Sequence, residues 1–382
     1  MRIPMPRFSE AELARRATAV RARMAAQEVD CLLVFGAGRT MDVQYLVDWP
    51  GTRESYLIVP ASGSPTLLVQ FLNHVPNAER VARLDDVRWA GPGSIDGVVA
   101  ALAERMPEGR RLGLVGGVSW RLAGAIRERL PRVDVVDFTS ELRMVRAIAS
   151  EEEIGYLREA AQVTDIAMTA LERETRPGMR ERELVHVVES AITGAGGTPG
   201  IHFMATTPMS APTIGVPSQL QSERIIAAGD VLITEISGHN WGYGGQVHRA
   251  YAIGADPTAE YQRLHDVATE VFERIRGVLR DGASVAHVLD AAEVVHDRGL
   301  TIYDDLLHGT DQLAPVIQTR RTARHPQPES FVFRENMVVV VQPNVVTDGT
   351  GTSGLQVGET VRITKDGAER LHAYPMRFVR CG

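Results

Sequence analysis

The sequence predicts an α/β N-terminal domain followed by an α+β C-terminal domain, and three observations point there. Short apolar runs (CLLVF, SYLIVP, PTLLVQF) alternate with helical stretches over the first 140 or so residues. From Glu141 the text turns to a long, charged, amphipathic stretch. Beyond it, two more helices lie among strands of polar and apolar alternation, several of them joined by Gly-rich turns.

In order along the chain, a helix begins near Ser9, with Ser9 as its cap and apolar residues at helical spacing. The three apolar runs follow as short buried strands, and RLGLVGG and VDVVDF supply two more. Helices are expected over Ile95 to Arg105 and Ser119 to Arg129. The stretch ELRMVRAIASEEEIGYLREAAQVTDIAMTAL contains a helix entered through Ser150, with Glu153 placed for a capping box. The domain boundary is expected close to Ala149, giving domains 1–149 and 150–382. Two further helices are expected at Glu181 to Ala195 and Glu260 to Arg280. No internal repeat, low-complexity tract or long linker interrupts this order.

Composition narrows the function classes. With 44% apolar and 23% charged residues the chain reads as ordinary globular protein. A net charge of -7 with both signs interspersed offers no cationic field for nucleic acid. Only Cys31 and Cys381 are present, so neither a disulfide framework nor a CxxC motif is available. No segment reaches about 18 uninterrupted apolar residues, and the N-terminus has no apolar signal core. A cytoplasmic protein without membrane or nucleic-acid partners is the expectation.

The chemistry concentrates around Gly229 to Arg249, GDVLITEISGHNWGYGGQVHR. Strand side chains alternate faces, so Glu235 shares a face with Val231, Ile233 and Ser237, while Gln246, His248 and Ala250 share one on the next strand. In MVVVVQPNVV the set Val338, Val340, Gln342, Asn344 does likewise, and LQVGETVRIT groups Gln356, Gly358 and Thr360. DDLLHGT places His308 just before a glycine. Four separated segments, each offering an isolated polar residue on an apolar element, predict convergence on one pocket.

These motifs resemble the creatinase, aminopeptidase P and methionine aminopeptidase superfamily, peptidase family M24, with its pita-bread fold. The resemblance covers essentially the whole chain: LRMVRAIASEEEIGYLREA reads like the family's entry helix, GDVLITEISGHNWGYGGQVHRAY like its strand pair, and HG, MVVVVQP and GLQVGETVRITKDG follow in family order. The two aspartates of the metal enzymes sit 11 residues apart, as Glu235 and Gln246 do. The resemblance therefore implies an α/β N-terminal domain and an α+β pita-bread catalytic domain.

It also marks departures. The metal-dependent members use two aspartates, a histidine and two glutamates, and those places hold Glu235, Gln246, His308, Gln342 and Gly358. Two close divalent cations need bridging carboxylates to offset their repulsion, which amides do not supply. Neither metal nor other cofactor is expected. The family's histidine 11 residues before the glycine of its GD pair is replaced by Ser218. Creatinase works on this scaffold without metal; a glutamate there binds substrate at the place that His248 occupies here. His248, Glu235 and His308 are the expected acid/base groups, an imidazole being able to donate or accept near its pKa of about 6.5. Gln246 and Gln342 are expected to hydrogen-bond the substrate. Arg53 aligns with an N-terminal-domain arginine that helps creatinase hold a substrate carboxylate, and Arg320 or Arg321 falls near the second. If carried over, Arg53 works in the partner subunit of a homodimer.

Three functions remain open from the sequence. The first is a metal-independent creatinase-like enzyme that acts on a small, carboxylate-bearing, nitrogen-containing substrate by hydrolysis, elimination or rearrangement. The second is an atypical metal-dependent Xaa-Pro aminopeptidase or dipeptidase. The third is a non-catalytic binding module for a small molecule or peptide.

Overall fold

The computed structural model describes residues 5–38, 40–106, 110–310, 313, 315–347 and 351–382. The chain divides into two compact units, Met1–Arg146 and Ala147–Gly382.

The first unit is built on a mixed six-stranded sheet. Its strands are β1 (Cys31–Gly36), β2 (Ser55–Pro60), β3 (Thr66–Val69), β4 (Val87–Trp89), β5 (Arg111–Val115) and β6 (Asp134–Asp137), in the order β4-β3-β2-β1-β5-β6. The central strands are buried on both faces, which is why CLLVF and SYLIVP are continuous apolar runs rather than alternating ones. Helices Ile95–Arg105 and Trp120–Arg129 cover one face, sinking Val98, Leu102, Leu122 and Ile126 against Leu33, Ile58 and Leu112. Each such side chain contributes about 1.5–3 kcal/mol by leaving water. At the N-terminal end Ser9 caps helix Glu10–Ala26 by accepting from the amide of Glu12.

The second unit begins with helix Glu151–Glu174, entered through a complete capping box between Ser150 and Glu153. Its strands are β7 (Thr198–Pro208), β8 (Asp230–Asn240), β9 (Tyr243–Ile253), β10 (Thr301–Ile302), β11 (Leu307–Gly309), β12 (Val316–Ile317), β13 (Val338–Val341), β14 (Asn344–Val346), β15 (Gly354–Gln356), β16 (Gly358–Ile363), β17 (Ala368–Arg370) and β18 (Val379–Cys381). Nine of them form one curved sheet, β12-β11-β13-β16-β9-β8-β7 with β17 on β16 and β18 on β9, while β10-β14-β15 make a second, small sheet. Helices Glu151–Glu174 and Glu183–Gly194 pack on one face of the large sheet. There Met168, Leu171, Leu184 and Val188 meet Leu232, Ile236, Val247 and Tyr251. Those strand residues alternate with Glu235 and His248, so burying the apolar set commits the polar set to the opposite face.

Two expected strands turn out to be broken. MVVVVQPNVV is not one strand, because β13 ends at Val341 in the large sheet and β14 starts at Asn344 in the small one. LQVGETVRIT likewise splits at Val357 into β15 and β16. Pro343 has no N–H to give a ladder, which makes the break the place where the ribbon changes sheets. Gln342 and Gln356 therefore sit at a corner between two sheets, with Gln356 Nε2 donating to Gln342 O at 3.3 Å. Among the described residues no helix is long and apolar enough to cross a membrane.

Candidate active site

The β8–β9 hairpin positions the site. Within the Gly-rich stretch GHNWGYGG the strands run on to Asn240 and Tyr243, and only Trp241 and Gly242 turn the chain, at φ 48° and 86°. Positive φ at both residues gives the twist that suits a two-residue hairpin, though it is costly for a tryptophan. The next residue anchors the tip: Tyr243 stacks on Tyr156 at 5.9 Å and donates its hydroxyl to Glu153 Oε1 at 2.8 Å. Further down, helix Glu151–Glu174 presses directly on the hairpin. A Cβ at Gly245 would lie 2.6 Å from Ala161 Cα, and Thr164 Oγ1 accepts from the Gly238 amide and meets Gly245 O, both at 2.8 Å.

With the hairpin fixed, Glu235 pairs in register with His248, and His248 pairs on its other side with Gly358. Gln246 is the hub of the cluster. Its Nε2 lies 3.0 Å from Glu235 Oε1, 3.2 Å from His248 Nε2 and 3.4 Å from Gln342 Oε1. Gln246, Gln342 and His248 are 8%, 4% and 0% exposed, so they form a floor, above which Glu235 remains partly open. Gln342 is held there by its own amide, which donates to Leu306 O at 2.8 Å.

Electrostatics separates the titratable groups. Burial first, and then the negative charge of Asp304, push the Glu235 carboxyl up to about 7. Burial also holds His248 well below the ordinary imidazole range, aided by the charges of His308 and Arg249, while Gln356 acts in the opposite direction. Asp305 is raised by burial and by Asp304. His308 on β11 places Nδ1 2.8 Å from Gly309 O, which makes Nδ1 the donor and leaves Nε2 for other work.

The structure thus brings Glu235, Gln246, His248 and Gln342 into one hydrogen-bonded cluster, with His308 close enough for its charge to act on His248. Arg320 is engaged elsewhere in the same unit. Its guanidinium binds Asp290 at 2.7 Å and both oxygens of Glu329 at 3.1 Å, and Arg321 pairs with Glu293 at 2.8 Å. Those ion pairs occupy the fork that a substrate carboxylate would need. Arg53 belongs to the N-terminal unit, where it lines a cavity of about 280 Å³ with Trp49, Glu54, His74 and Asn77. Its guanidinium makes no hydrogen bond or ion pair among the described residues. Ser218 forms a two-way backbone pair with Met204. His202 lies 3.6 Å from Glu189 and His239 3.3 Å from Ser237 Oγ.

Two residues enter the site without having been singled out in the sequence. Asp304 and Asp305 lie in DDLLHGT beside His308, and their adjacency to a histidine was the available signal. Arg249 lies behind His248 with its side chain fully buried. It bonds Glu359 at 2.6 Å and the carbonyls of His248, Gly358, Pro375 and Tyr374. Arg249 therefore serves Glu359, and among the described residues no arginine pairs with Glu235.

The five positions at which metal-dependent members carry ligands do not suit a dinuclear centre here. They offer one carboxylate, one imidazole, two amides and a glycine, and among the described residues no group of three His, Cys, Asp or Glu could hold a metal ion. At Gly358 even an added Cβ would fall 2.3 Å from Val341 O and 2.7 Å from Gln342 Cα, so backbone fills the space from which a ligand side chain would project.

Two family models match the chain: the creatinase/prolidase N-terminal domain over residues 16–148 and metallopeptidase family M24 over residues 155–365. Among curated proteins, an uncharacterized hydrolase/peptidase of Sinorhizobium fredii is 27% identical over 300 residues, covering 74% of this chain and 76% of that protein. An Xaa-Pro dipeptidase of Pyrococcus furiosus is 26% identical over 266 residues, covering 68% and 73% respectively. Among solved structures, an X-Pro aminopeptidase from Thermotoga maritima superposes with a TM-score of 0.81 at 18% identity, covering 95% of this chain and 99% of that one. This last likeness concerns the fold, in which an α/β domain precedes a pita-bread domain.

Proposed function

Because the chain belongs to metallopeptidase family M24 and carries the creatinase/prolidase N-terminal domain ahead of it, we propose that it is a hydrolase of a C–N bond in a small, carboxylate-bearing, peptide-like substrate, working by general acid/base chemistry without a dinuclear metal centre. The observation that carries this reading is Glu235: a partly open carboxyl with a pKa of about 7, seated on a floor of amides rather than among metal-binding carboxylates. Near neutral pH such a group is populated in both its base and its acid form, so it can accept a proton from the attacking water and later return it. The water oxygen adds to the substrate carbonyl carbon, the C–N bond breaks, and the leaving nitrogen receives a proton from His308 or from Glu235 itself. Gln342 and Gln246 orient the polar groups beneath. Family membership supports hydrolysis over elimination or rearrangement.

Arg53 supports the carboxylate part of the reading, as a guanidinium beside Trp49 and His74 that has no partner among the described residues. In a homodimer it would be supplied by the second subunit.

A second reading, a metal-dependent Xaa-Pro dipeptidase, is favoured by what relatives are called, including the Xaa-Pro dipeptidase of Pyrococcus furiosus. One experiment separates the two. Xaa-Pro dipeptides, N-acyl amino acids and guanidino acids are incubated with the protein in EDTA or in Mn²⁺, and products are followed by mass spectrometry. Turnover that survives EDTA and vanishes in Glu235→Gln supports the first reading. Turnover abolished by EDTA and restored by Mn²⁺ supports the second.

A further inference from the structure

The side-chain nitrogen of Gln246 has three polar neighbours and only two hydrogens. With Glu235 ionised, Glu235 Oε1 at 3.0 Å and Gln342 Oε1 at 3.4 Å are both oxygens without a hydrogen to give. The atom of Gln246 between them must therefore be its NH2, since an oxygen there would face two others. The third neighbour, His248 Nε2, lies 3.2 Å from the same nitrogen. An amide nitrogen has no lone pair to accept with, so a proton on Nε2 would point at a donor. Nε2 must be the bare nitrogen of the ring, and the ring proton must sit on Nδ1.

Nδ1 is buried with no hydrogen-bond partner among the described residues, and Gln356 acts on the ring in the sense of an acceptor.

We infer that Gln246 is a positioning residue. Its amide holds Glu235 by Oε1 and fixes His248 as the Nδ1–H tautomer, an acceptor locked into the floor rather than a proton carrier. The tautomer stands on hydrogen-bond geometry with Glu235 ionised. Its catalytic consequence, that proton transfer falls to Glu235 and His308, rests on the hydrolase reading proposed above.

Neutron diffraction from deuterium-exchanged crystals of the full chain, kept above the Glu235 pKa of about 7, tests the tautomer without any substrate, so its failure is distinct from a failure of that reading. The expected map has deuterium on His248 Nδ1, none on Nε2, and both deuterons of the Gln246 amide facing the cluster. Deuterium on Nε2, or an inverted Gln246 amide, would overturn the inference. Gln246→Glu adds a second arm by placing a carboxylate oxygen against Nε2. There Nε2 should gain a proton, and retention of the Nδ1–H form alone would show that Gln246 does not set the tautomer. Should that variant fail to fold, histidine ¹⁵N shifts of the unmodified protein, with His248 assigned through His248→Gln, give the same answer: one pyrrole-like Nδ1 and one pyridine-like Nε2 if the inference holds, the reverse if it does not.

Discussion

Gly358 and Val341 approach so closely that a Cβ on residue 358 would fall 2.3 Å from the Val341 carbonyl oxygen. This contact lies at the corner where the β13–β16 ribbon leaves the large sheet, next to Gln342 and opposite His248. An amide-lined floor and a closed ligand position thus occur at the same place.

Gly358→Ala should therefore destabilise the protein, by about 1–3 kcal/mol as overpacking against backbone does. Urea unfolding would read this as a lower midpoint at unchanged slope. A neutral or stabilising result would mean that the ribbon is free to move apart, leaving room for a ligand at this position.

The ionisation of Glu235 gives a pH expectation with a definite sign. Its folded pKa of about 7 lies above the ordinary carboxyl value of 4.5, so between those two pH values the folded state keeps a proton that the unfolded chain has released. Stability contributed by this group is present in full below 4.5 and is lost as pH rises through about 7. Activity that needs the carboxylate as a base should rise through the same range. Glu235→Gln should flatten this component of the stability profile and abolish turnover. A variant that keeps the activity limb near 7 would assign that limb to another group.

Arg249 and Glu359 form an ion pair in which both side chains are 0% exposed. Burial alone would raise the Glu359 carboxyl, but the hydrogen bond from Arg370 and the charge of Arg249 hold it below its usual value. Arg249→Met leaves a buried charge short of one partner and takes one donor from each of four carbonyls, so a loss of about 3–5 kcal/mol is expected. The double variant Arg249→Met/Glu359→Leu should lose less than Arg249→Met alone. Thermal unfolding of both variants checks the order.

For Arg53, the expected effect is on binding. Arg53→Ala should raise KM for carboxylate-bearing substrates, because a charge-assisted hydrogen bond contributes about 1.5–3 kcal/mol, or roughly 10–100-fold. The fold should be unaffected, since the guanidinium has no partner among the described residues. Unchanged KM with a substrate that carries a free carboxylate would remove Arg53 from the site.

Much of this could be read in the sequence, for identifiable reasons. Strict alternation in VLITEIS and GQVHRA placed Glu235, Gln246 and His248 on one face, because burying Ile236 and Val247 on the other face leaves no choice. Continuous apolar runs marked the doubly covered sheet of the first unit. Local patterns could not show where a strand changes sheets, so the corner at Gln342, Pro343 and Val357 was invisible until pairing was known. Nor could they show that Arg320 is neutralised by Asp290 and Glu329, which lie 30 and 9 residues away. The influence of Asp304 on Glu235 was hidden for the same reason, since it joins segments far apart along the chain.

The central claim is that amides and a glycine have taken the place of a dinuclear metal site in a chain of metallopeptidase family M24. Elemental analysis of the purified full-length protein, before and after incubation with Mn²⁺, Co²⁺ and Zn²⁺ followed by gel filtration, tests it most directly. The account expects no divalent ion in stoichiometric amount under any of these conditions. One or two tightly held ions per chain, lost on Glu235→Gln, would contradict it.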